Sequence, residues 1–76
     1  MQEKNFQSAE SHFLNALKYD ANFPDAHRNL GILYQMTNQN LKAQQHFTIY
    51  LKLAPNASDR EAIGRWLVDN GVGTNQ

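Results

Sequence analysis

Slid along itself by about 34 residues, the chain meets its own pattern. Ala9 falls on Ala43, His12 on His46, Phe13 on Phe47, Leu17 on Leu51, Lys18 on Lys52, Asn22 on Asn56, Asp25 on Asp59 and Leu33 on Leu67. Those identities lie among about 42 superimposed pairs, where this composition gives roughly two or three by chance. A unit of that length cannot bury an apolar face alone, so a chain built from it folds by stacking copies against one another.

The repeated unit is helical. Phe6, Ala9, Phe13, Ala16 and Leu17 recur at three- and four-residue spacings, with Gln7, Glu10, Asn15 and Lys18 on the other faces, which predicts an amphipathic helix over about 4–20. Asp20 to Pro24 breaks it, because proline cannot continue a helix but suits a first turn. A second helix starts at Pro24 or Asp25, with Asp25 near the positive end of its dipole, and buries His27, Leu30, Gly31 and Tyr34. It stops in Thr37-Asn38-Gln39-Asn40, where Asn38 is the residue able to take a positive φ. A third helix uses Leu41, Ala43, Phe47, Tyr50, Leu51 and Ala54 and ends at Pro55. A fourth opens on Ser58-Asp59-Arg60-Glu61, the spacing of a capping box, carries Ile63, Trp66 and Leu67, and closes at Gly71. Asp69-Asn70-Gly71 has the composition of a hairpin turn, but no alternating strand pattern flanks it.

From His27 the chain reads His27-x2-Leu30-Gly31-x2-Tyr34, then Ala43-x3-Phe47, then Pro55, and this resembles the tetratricopeptide repeat with its usual first Trp replaced by His27. The resemblance implies an all-α fold of four helices, antiparallel hairpins stacked as a short solenoid. In that frame residues 1–76 form a single domain. Residues 1–23 are the second helix of a partial repeat, 24–57 a complete repeat, 58–71 a terminal helix capping the stack, and 72–76 a tail. The partial first unit implies a longer parent protein. Gly31 and Ala43 stand where the two helices of a hairpin come closest, and Phe47 fills the gap beside them. Tyr50 departs from the family's alanine, so its ring is expected to alter the seat of the fourth helix.

The same resemblance implies a non-catalytic protein-binding module. Its concave face, carried over residue by residue, is Asp25, Arg28, Asn29, Ile32, Gln35 and Met36, with Ile32 and Met36 an i,i+4 apolar pair suited to a peptide laid along the groove. The alternative is self-association through Phe6, Ala9 and Phe13, a face that the missing first helix of the partial unit leaves uncovered. Some members grip a partner's C-terminal carboxylate with lysine, asparagine and arginine. Only Asn29 matches that clamp here, while Asp59 and Ile63 stand where basic residues belong, and an acid there repels what the clamp holds.

Other chemistries find little footing. Seven basic and seven acidic residues cancel, so no global field draws the chain to nucleic acid or an anionic membrane. No run of about 18 apolar residues could span a bilayer, and Met1-Gln2-Glu3-Lys4 has no apolar signal-like stretch. The absence of cysteine excludes disulfides and leaves the compartment open. His12 and His46 are repeat equivalents set one unit apart, and His27 reads as a packed or edge histidine, so no metal or other cofactor is expected. The carboxylates fall at helix ends and polar faces, where capping and solvation account for them. Asn56-Ala57-Ser58 is a formal glycosylation sequon, with Ser58 read as a helix cap.

Overall fold

In the computed structural model, which describes residues 3–70, four helices follow one another: α1 (Glu3–Tyr19), α2 (Pro24–Met36), α3 (Asn40–Leu53) and α4 (Arg60–Asp69). Each packs on the next. The contact between α2 and α3 is the most extensive, that between α1 and α2 is intermediate, and α4 rests on α3 by the smallest contact. The expected Gly71 cap and the 72–76 tail lie outside the described residues.

Pro24 sets the N-terminus of α2, with Phe23 extended before it at φ −82° and ψ 103°. Upstream, the Asp20 carboxylate accepts from the Asn22 amide at 3.0 Å, and the Phe23 amide donates to the Asp20 carbonyl at 3.1 Å. These bonds close the turn that reverses the chain after α1. At the far end of α2 the Gln39 amide donates to the Tyr34 carbonyl at 2.8 Å and the Asn38 amide to the Gln35 carbonyl at 3.2 Å, a Schellman cap. Asn38 occupies its left-handed position at φ 62°, as the sequence predicts.

α2 is buried on two sides. His27, Leu30, Gly31 and Tyr34 are buried as expected, and so are Ala26 and Leu33, because α2 lies between α1 and α3 rather than against one partner. Leu30, Leu33, Tyr34, Ala43, Phe47, Tyr50, Ile63 and Leu67 form one core cluster. Gly31 marks the closest approach of the hairpin: a Cβ built on it lies 2.5 Å from Cδ1 and Cε1 of Phe47. Leu41 departs from the expectation of a core residue and is 75% exposed. It lies in the first turn of α3, on the side turned away from the cluster that holds Ala43 and Phe47.

The capping box expected at α4 is not formed. The helix begins at Arg60, so Ser58 falls outside the N-cap position, and Asp59 makes no capping bond through its side chain. Its carboxylate is engaged elsewhere.

Candidate protein-binding groove

Asp59 joins three helices. Its Oδ2 accepts from Nε of Arg28 on α2 at 2.6 Å, and its Oδ1 accepts from the Tyr50 hydroxyl on α3 at 2.7 Å. The Arg28 guanidinium holds the Asp59 carboxyl below the usual carboxylate range. Burial, then the bond to Asp59, push the Tyr50 phenol up. The arginine is raised in turn by its bond to Asp59. The tyrosine that departs from the family's alanine therefore anchors the start of α4. Thirty-four residues earlier the pair corresponding to Tyr50 and Asp59 is Ala16 and Asp25. Alanine has no hydroxyl to offer, and Asp25 remains exposed.

This junction shapes two adjoining hollows. In one, Arg28, Ile32 and Gln35 of α2 face Ala62, Ile63 and Trp66 of α4 across Phe47, enclosing about 330 Å³. In the other, Asp25, Arg28 and Asn29 stand beside Tyr50, Ser58 and Asp59. Five of the six concave-face residues chosen from sequence are thus brought together around Arg28. Met36 lines neither hollow and projects at the end of α2, 55% exposed. Of the α4 wall, Ile63 stands at a position that the resemblance already sets in the carboxylate clamp, whereas Trp66 was expected only in the core. Trp66 does both: its ring meets Phe47 edge-on at 5.3 Å while remaining partly exposed.

Phe6, Ala9 and Phe13 are partly buried and pack against the core cluster, so part of the face expected to stand uncovered is covered from within the chain. The exposed leucine of α1 is Leu14. A second cross-helix bond lies nearby, the Tyr34 hydroxyl donating to Oε2 of Glu10 at 2.7 Å. Burial, reinforced by that bond, pushes the Tyr34 phenol up to about 12.

Sequence reasoning also missed a histidine pair. Nδ1 of His27 lies 3.0 Å from Nδ1 of His46, and Nε2 of His27 lies 2.9 Å from the Ala21 carbonyl oxygen. Burial, with His27 adding to it, holds His46 below the usual histidine range. No group of three or more histidine, aspartate or glutamate side chains is placed to hold a metal ion among the described residues. No helix among them is long and apolar enough to cross a membrane.

Stacked antiparallel hairpins with a groove between alternate helices define the class of α-helical repeat proteins. Within that class the chain is similar to the tetratricopeptide repeat: the model of that family matches residues 12–45, one period running from mid-α1 into α3. No curated protein and no solved structure was found to match the chain.

Proposed function

We propose that this chain is a non-catalytic interaction module that seats a segment of a partner protein between α2 and α4. Tetratricopeptide repeats generally mediate protein–protein interaction. The observation that carries the finer reading is the mixed lining of the groove: Ile32, Ile63 and Trp66 supply apolar surface, and Arg28, Gln35 and Asp59 a polar rim. An aromatic anchor inside a polar border is the usual anatomy of a binding hot spot. The charge of Arg28 is satisfied by Asp59, so the groove favours an apolar side chain over an anion. A volume of about 330 Å³ suits one or two side chains of an extended or helical segment. Self-association through Phe6, Ala9 and Phe13 is the lesser reading, since those side chains pack on the core.

Ala62 offers a clean test, because it is exposed on the α4 wall and touches the groove without entering the core cluster. Peptides selected by display against the whole chain should lose at least tenfold in affinity for Ala62→Arg, about 1.4 kcal/mol, with the melting temperature held within a few degrees. Undiminished binding to the folded variant moves the site to another face.

A further inference from the structure

We propose that His27 and His46 form a proton-operated latch fastening the α1–α2 turn to α3, closed while one hydrogen bridges the two rings and opened when both rings are cationic. The hydrogen-bond roles follow from the acceptor at the far end. A carbonyl oxygen only accepts, so the Nε2 that contacts Ala21 carries the hydrogen of neutral His27, and its Nδ1 is left with a lone pair. The 3.0 Å contact then requires His46 to present Nδ1–H, which leaves a lone pair on its own Nε2. Turn, α2 and α3 are joined in series through two imidazoles.

The two possible protonations are not equivalent. A proton added at Nε2 of His46 leaves the bridging N–H in place. A further proton can enter only at Nδ1 of His27, where it sets two N–H groups head to head at 3.0 Å, and the contact must open. His27 is 5% exposed and has no room to turn its ring toward water without loosening the turn. Among the described residues no carboxylate pairs with either ring to offset the second charge. Tyr34 of α2 has its ring 5.6 Å from that of His46, with its hydroxyl bonded to Glu10 of α1. Lys42 of α3 stands 5.4 Å from the Tyr34 ring and is itself cationic. Burial, with His27 beside it, disfavours the cation at His46.

Two measurements on the full chain test the latch. Nitrogen-15 NMR of the histidine rings at about pH 8 should find His27 as the Nε2–H tautomer and His46 as the Nδ1–H tautomer. Finding Nε2–H on both rings overturns the proposal. In the second measurement, urea unfolding is followed between about pH 7.5 and pH 5. The unfolding constant of the unaltered chain should rise by up to tenfold per pH unit for each extra proton bound on unfolding. In His27→Gln the side-chain amide can donate to the Ala21 carbonyl without titrating, so the excluded second proton is removed and the rise should be smaller by about one proton. Equal slopes in the two proteins overturn the latch. If the variant does not fold, the tautomers of the unaltered chain still decide. The amide shifts of Ala21 and Asn22 should also move together with the second ring protonation, at His27, and amides that stay fixed while both rings become cationic overturn the latch.

Discussion

Two glycines in this chain should respond to the same substitution with opposite signs. Both lie inside helices, where replacing glycine by alanine relieves about 1 kcal/mol of conformational cost. At Gly64 nothing lies within 4 Å of the added methyl, so the full gain should appear and Gly64→Ala should raise stability by about 1 kcal/mol. At Gly31 the methyl would sit 2.5 Å from two atoms of the Phe47 ring and 2.9 Å from a third. Relief requires about 1 Å of movement to reach a normal carbon–carbon separation. Phe47 is 2% exposed, and its ring is held by Trp66, so it has nowhere to go. Overpacking of that kind costs about 1–3 kcal/mol, and direct ring overlap places this case near the upper end. Subtracting the helical gain leaves Gly31→Ala destabilised by about 2 kcal/mol. The two variants should then melt about 10–25 °C apart, read by circular dichroism and checked by urea titration at constant m value. Adding Phe47→Leu to Gly31→Ala should cost less than it does in the unaltered chain, a coupling that a double-mutant cycle isolates. A Gly31→Ala protein as stable as the parent refutes the hairpin register argued above, and a Gly64→Ala protein no more stable refutes the open helical setting of Gly64.

Asp59→Asn should lower stability by about 1 kcal/mol at neutral pH, a charged hydrogen bond discounted for the partial exposure of both partners. Because Asp59 is held below its usual range in the folded chain, its contribution is present above about pH 4 and disappears as the pH falls through the folded value. The difference between parent and variant should therefore narrow in acid denaturant titrations. At Asn38, held at φ 62°, Asn38→Gly should leave stability unchanged or raise it by up to about 1 kcal/mol, while Asn38→Ala should lower it by about 1 kcal/mol; thermal melts giving the reverse order overturn the Schellman cap.

Four helices, their order and the left-handed asparagine were legible because each rests on local chemistry: apolar spacing, a proline at an N-terminus, a residue tolerant of positive φ. Leu41 was misread because it stands two residues before Ala43, a spacing that puts the two on opposite sides of α3, and Ala43 is the one that faces the core. The capping box failed for a different reason. Ser58-x2-Glu61 is a local signal, and a stronger distant partner, Arg28, drew the neighbouring carboxylate into a contact 31 residues away in sequence. The histidine pair was within reach: opposing Gly31 to Ala43 in an antiparallel hairpin brings the next turn back on α2, His27, opposite the next turn forward on α3, His46. Five of the six residues expected on the concave face line the hollows because they share one face of α2, whereas the opposite wall depends on the seat of α4, which Tyr50 fixes.

Trp66, Ile63 and Ala62 belong to α4, the helix with the least contact to its neighbours, and one wall of the groove therefore stands on the part of the fold that opens most cheaply. In a stack whose stability is a chain of neighbour terms, an end unit frays before the middle. Amide protons of α4 should accordingly exchange faster than those of α2 and α3, and a segment lying across the groove would slow them by bridging to α2. Were a partner seated in the proposed groove, occupancy of the site and completion of the last helix would be one equilibrium, the partner held partly by surface that its own arrival keeps in place.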